Sequence, residues 1–243
     1  MRIAFLGDSL TEGRPGESFL ARLGPLLPGD ELVNHGRAGD TIPGLLARLE
    51  AGELAAADLA VVWIGTNDAF LGDWYLPPLF EADGAGDGDE AGPSTGAGGA
   101  TAGDRAARAL RPLYDRILEL TLRCAPRAVC VPPVLPDPFE EGGIADRVCG
   151  IDAMVAAAAA ARGPHARLFA LAPVFAAAAG EQVVAGAAGG GPAGAAAAGD
   201  ETRPRFTLDG VHLNARGADV VAHAFRELIG ASRGEGPASP PPP

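Results

Sequence analysis

The sequence predicts an α/β fold built on a parallel sheet with helices on both faces. Two observations carry that expectation. Five short apolar runs read as buried strands, and helical patterns alternate with them along the chain. A third bears on size: 243 residues, 47% of them hydrophobic, suffice for one large domain with a substantial core.

The strand-like runs are Arg2–Leu6, Glu31–Asn34, Leu59–Ile64, Ala128–Pro132 and Ala166–Ala170. Helical patterns occupy Glu17–Leu27, Ile42–Ala56, Asp104–Leu122 and Asp146–Arg162. The third of these repeats apolar residues at 110, 113, 117 and 120, one face of a helix, and Pro112 offers an alternative start for it. A last helix over Ala215–Ile229 follows Asn214, a favourable N-cap. Residues 81–103 hold five carboxylates and no arginine among Gly and Ala, and read as a disordered insertion. Residues 180–205 read as a long loop, with a short helix an option near 193–198. Residues 1–232 thus form one domain, followed by a disordered Pro-rich tail over 233–243.

Composition removes several function classes. Net charge is −12, which argues against nucleic acid and against stable association with an anionic membrane. No apolar run reaches membrane-spanning length. Every basic residue is arginine, so lysine-based phosphate loops, Schiff bases and Ser-Lys dyads are excluded together. Cys124, Cys130 and Cys149 form no Cys-x-x-Cys and suggest neither disulfides nor zinc, and no metal or organic cofactor is implied. Met1 runs directly into Ile3-Ala4-Phe5-Leu6, leaving no room for a secretory leader; a cytoplasmic location is the expectation.

In an open parallel sheet, ligands sit beyond the carboxyl ends of the strands. Three polar clusters fall there: Gly7-Asp8-Ser9-Leu10, Asn34 to Thr41, and Gly65-Thr66-Asn67-Asp68. A fourth, Asp209-Gly210-Val211-His212, lies near the chain's end. Ser9 supplies a hydroxyl, which is a poor nucleophile until a base takes its proton. His212 can be that base, and Asp209, three residues earlier, can hold its other ring nitrogen. An oxyanion needs donors aimed at it. The Asn67 amide, the Gly39 N–H and the N–H of Ser9 itself are candidates.

Each candidate has a plainer rival. Asp8, Asp40 and Asp68 read as loop-fixing carboxylates, Asp40 also suiting the N-cap of the helix from Ile42. His35 competes with His212 as base, while His165 and His223 read as structural or exposed. Phe70, Trp74 and Tyr75 either line an acyl pocket or pack as core, and the loop Pro132 to Phe139 offers an opposite wall.

These four blocks, in this order, resemble the GDSL esterases and lipases, also called SGNH hydrolases. The resemblance implies a flavodoxin-like three-layer α/β/α sandwich of about five parallel strands. It implies Ser9, Gly39, Asn67 and His212 as the family's four characteristic residues, with Asp209 completing a triad. Leu213 stands where proline commonly follows the histidine. The activity implied is hydrolysis of a small-molecule carboxylic ester through an acyl-enzyme. Acyl transfer by the same site is the alternative, and a non-catalytic binding module a distant third. The natural ester, with a medium-sized apolar acyl group the expectation, and the oligomeric state are left open.

Overall fold

A computed structural model describes residues 1–72, 100–137, 143–187 (backbone only from 181) and 205–233. Five parallel strands form one sheet in the order β2-β1-β3-β4-β5: β1 (Arg2–Gly7), β2 (Glu31–Gly36), β3 (Leu59–Trp63), β4 (Ala128–Val131) and β5 (Ala166–Leu168). Helices α1 (Ser9–Glu12), α2 (Phe19–Leu26), α3 (Ile42–Glu50), α4 (Thr66–Leu71), α5 (Ala102–Cys124), α6 (Ile144–Ala160), α7 (Ala172–Ala187) and α8 (Ala215–Ala231) complete the described chain.

Alternation along the strands divides the core in two. Ile3 and Phe5 face α2 and α8, where Phe5, Phe19, Trp63 and Phe225 pack ring against ring at 5.4 to 6.5 Å. Ala4 and Leu6 face the other way, into a layer with α3, α5 and α6 that contains Leu45, Leu110, Tyr114, Ile117, Ile151 and Val155. β1 and β3 are buried on both sides, which is why they read as continuous apolar runs.

The chain passes from β1 to β2 on one side and returns to β3 on the other. Strand order therefore reverses between β1 and β3, and the crevice beyond their carboxyl ends is where such sheets bind ligands. Ser9 follows β1 there, and Asn67 follows β3.

Several expected boundaries move. α5 begins at Ala102, because Thr101 and Asp104 cap it reciprocally, each side chain accepting from the other's backbone N–H. The insertion read as ending at 103 therefore gives way to helix two residues earlier, and 73–99 lie outside the described residues. Pro112 sits inside α5 and does not start it. The buried stripe is Ala106, Leu110, Tyr114, Ile117, Leu118 and Thr121, with Leu113 and Leu120 half-buried beside it. α3 stops at Glu50, ahead of Gly52 in the left-handed region, instead of reaching Ala56. The long loop read from 180 is helical up to Ala187, the end of α7. α7 is rich in small and apolar residues with only Glu181 and Gln182 polar, so no amphipathic periodicity betrays it. Residues 188–204, with the optional helix near 193–198, and 234–243 lie outside the described residues. No helix of the described residues is long and apolar enough to cross a membrane.

Candidate active site

β1 ends at Gly7, and the chain turns at once into α1. A Cβ on Gly7 would fall 2.2 Å from the Trp63 carbonyl oxygen and 2.3 Å from Thr11 Oγ1, so only glycine lets the turn lie against β3. Asp8 caps α1, its Oδ1 accepting from the Leu10 N–H at 3.0 Å. Ser9 is thereby held as the first residue of α1, nearly buried, and its N–H belongs to a first turn that has no intrahelical acceptor for it.

The Ser9 Oγ lies 3.1 Å from His212 Nε2, although 203 residues separate them in sequence. On the other side of the ring, Nδ1 lies 2.7 Å from Asp209 Oδ2. Asp209 Oδ1 also accepts from the N–H groups of Val211 (3.1 Å) and His212 (2.8 Å), so the carboxylate fixes both the ring and the turn that carries it. Partial burial pulls the Asp209 pKa upward, but the His212 ring and these two N–H donors outweigh it and hold the pKa below the usual aspartate value. The three groups make a continuous hydrogen-bonded run along which a proton leaving Ser9 can be received on His212.

The loop after β2 supplies the next group. The Arg37–Asp40 turn closes with the Asp40 N–H on the Arg37 carbonyl at 3.0 Å, and Gly39 occupies it with φ of +75°. A Cβ on Gly39 would meet nothing within 4 Å, so backbone conformation, not crowding within the protein, selects glycine here. Glu12 of α1 accepts from the Ala38 N–H at 2.5 Å and ties this loop beside Ser9. From α4, Asn67 Nδ2 donates to the Asp40 carbonyl at 2.8 Å. One amide proton thus orients the side chain next to Gly39, and an amide nitrogen carries two.

Below these donors lie buried carboxylates. Both oxygens of Asp68 accept from the Ile42 N–H, at 3.0 and 3.2 Å. Burial raises its pKa to about 7, with the charge of Asp40 adding to the rise. Burial likewise pushes Asp8 up to about 7, aided by Asp68 and Asp40, and its Oδ2 has no hydrogen-bond partner among the described residues. Asp40 does not cap α3 as expected. Thr41 does, accepting from the Gly44 N–H at 3.2 Å, because Asp40 is held by the buried Arg48 guanidinium at 2.6 and 2.9 Å.

The His35 ring lies 3.9 Å from Glu53, Arg48 donates to its carbonyl, and burial holds its pKa below the ordinary histidine value. His165 lies in the 3-10 turn before β5, and His223 Nδ1 is bonded to the Asp219 carbonyl within α8. Phe70 is a half-buried residue of α4. Trp74, Tyr75 and Phe139 lie outside the described residues. Cys130 is buried, Cys124 half-buried and Cys149 exposed, all as free thiols. Among the described residues, no group of three or more His, Cys, Asp or Glu could hold a metal ion.

One residue went unread in the sequence. Asp137, on the loop after β4, accepts four hydrogen bonds from residues 205–207. An aspartate among prolines reads as a turn former, and its partners are some seventy positions away, so no local signal marks it.

A model of the GDSL-like Lipase/Acylhydrolase family matches residues 5–220 of the chain. Among curated proteins, none matches it. Solved structures with the same fold include an acetylxylan esterase from Geobacillus stearothermophilus (TM-score 0.61, 17% identity, 94% of each chain covered). A member of the lipolytic G-D-S-L family from Veillonella parvula aligns with TM-score 0.61 at 14% identity, over 96% of this chain and 99% of that one. An alpha/beta hydrolase enzyme from the Lake Arreo metagenome aligns with TM-score 0.60 at 19% identity, over 94% of each.

Proposed function

The chain belongs to the GDSL-like lipase/acylhydrolase family, and we propose that it cleaves carboxylic esters through an acyl-enzyme on Ser9. The observation that carries this reading is the hydrogen-bonded run from Ser9 Oγ through the His212 ring to Asp209, at 3.1 and 2.7 Å.

Ser9 Oγ attacks the ester carbonyl while its proton passes to His212 Nε2. Asp209 fixes the ring orientation and stabilises the imidazolium that forms. The carbonyl π pair becomes an oxyanion, which the N–H groups of Ser9 and Gly39 and the second amide proton of Asn67 receive. Collapse breaks the C–O bond, and the alcohol leaves with the proton held on His212. Water then repeats the sequence with His212 as base, releasing the acid and restoring Ser9.

A fluorophosphonate probe tests this directly, because it labels only an activated serine. Wild-type protein labels and hydrolyses p-nitrophenyl acetate, whereas Ser9→Ala does neither while keeping its fold. Retained activity in Ser9→Ala overturns the assignment. A panel from acetyl to palmitoyl esters identifies the acyl group. It includes acetylated xylo-oligosaccharides, since one protein of the same fold is an acetylxylan esterase.

A further inference from the structure

We propose that Asp137 is a positioning residue for the Asp209–His212 pair and acts on it through Thr207; the proposal rests on the ester-hydrolase reading above. Neither side chain of that pair is held by a tight packing shell, as the Asp209 side chain is 51% exposed and that of His212 21%. Their placement must therefore come from the backbone that carries them.

That backbone is a closed loop. Thr207 and Leu213 form an antiparallel bridge, Leu208 N–H donates to the His212 carbonyl at 2.7 Å, and Asn214 N–H donates to the Phe206 carbonyl at 3.0 Å. The loop projects Leu208 and Asp209 outward, so its base at Phe206–Thr207 sets its direction.

Asp137 grips that base. Its Oδ1 accepts from the Arg205 N–H at 2.8 Å. Its Oδ2 accepts from the N–H groups of Phe206 and Thr207, both at 2.9 Å, and from the Thr207 hydroxyl at 2.7 Å. Both residues are buried, where such bonds are strong and the loss of one leaves an unpaired group. The Thr207 oxygen in turn accepts from the Gly210 N–H at 2.9 Å, inside the turn between Asp209 and His212. Donated proton and accepted proton meet on one oxygen, giving a relay from the end of β4 to the loop of the base.

The link reaches across the sheet edge. β1 presents Ser9, whereas Asp137 leaves β4, two strands away. The Ser9–His212 distance is therefore set by the sheet through two routes, one at each side of the crevice.

Steady-state hydrolysis of p-nitrophenyl acetate by Thr207→Val, Thr207→Ser and Asp137→Asn tests the proposal. Valine keeps the shape of threonine and its backbone N–H bond to Asp137, but its side chain neither donates to Asp137 nor accepts from Gly210. In Thr207→Val, kcat falls between about 10- and 100-fold with KM little changed, because slight misplacement of a base costs that much. Thr207→Ser restores the rate, and Asp137→Asn, which can still accept at one oxygen, falls between. The low-field proton resonance of His212 Nδ1–H shifts or broadens in Thr207→Val and returns in Thr207→Ser. Wild-type kcat in folded Thr207→Val or Asp137→Asn overturns the proposal. So does equal impairment of Thr207→Ser and Thr207→Val, which would assign the loss to packing. If Ser9→Ala is inactive and Thr207→Val fully active, this proposal alone fails; if Ser9→Ala is active, the hydrolase reading fails first.

Discussion

Replacing Asp8 with asparagine should flatten the pH dependence of stability. Asp8 is buried, its Oδ2 lacks a partner among the described residues, and its pKa is raised from 3.8 to about 7 in the folded chain, by burial first and by Asp68 and Asp40 second. The sign follows from linkage: between the unfolded and folded values, the native state holds a proton that the unfolded chain has released. Stability is then fully present below the unfolded pKa and declines as pH rises toward 7. Each pH unit in that window costs about 1.4 kcal/mol. The sequence pI of about 4.7 limits the lower end, since a protein near its pI precipitates. From about pH 5.5 to pH 8, the wild type should lose about 2 kcal/mol through this group. Asparagine keeps the acceptor for the Leu10 N–H and does not titrate. Its unpaired amide adds a constant offset, which leaves the slope intact as the diagnostic quantity. Urea unfolding of both proteins across the window gives two curves, and their difference should move by about 2 kcal/mol in the variant's favour as pH rises. Asp68 titrates in both proteins, so its contribution largely cancels. Parallel curves would refute the reasoning and mean that Asp8 is ionised throughout.

Two further substitutions probe how the site and core are held. Gly16 has φ of +109°, and a Cβ there would lie 2.7 Å from the Leu213 carbonyl oxygen and 3.4 Å from His212 Cβ. Gly16→Ala should push the His212 backbone from Ser9 and lower kcat by about 10-fold or more, and wild-type turnover would sink the claim. A Cβ on Gly150 would lie 2.2 Å from the Gly103 oxygen, where α5 and α6 cross backbone to backbone. Gly150→Ala should cost about 1–3 kcal/mol in chemical denaturation, while turnover per folded molecule stays unchanged.

The middle of the sheet was legible because β1, β3 and β4 are buried on both faces and appear as unbroken apolar runs. Asn214 was legible as a cap because its cue is local, and it does accept from the Gly217 N–H at 3.0 Å. α1 and α4 escaped notice because four and six residues carry no periodicity. Thr41 and Asp40 exchanged roles for a reason no local rule contains, namely the guanidinium of Arg48 arriving on Asp40. Ser9, Asp209 and His212 were legible by type and order, and the structure brings them into one hydrogen-bonded run. Gly39 was read as room for close approach, and the turn's positive φ gives a second reason for glycine there. Asp137 was invisible, since its meaning lies in four donors that are distant in sequence.

The 203-residue interval between Ser9 and His212 has a consequence for the protein's synthesis. On the proposed mechanism, the nucleophile leaves the ribosome 203 residues ahead of its base. On that mechanism a nascent chain carries an inert serine until His212 has emerged, and products terminated before His212 hydrolyse nothing. Cutting the chain anywhere between the two residues leaves both pieces silent until they reassemble. Ester turnover would in this sense read out the assembly of the segments that carry Ser9 and His212, which suit a split reporter.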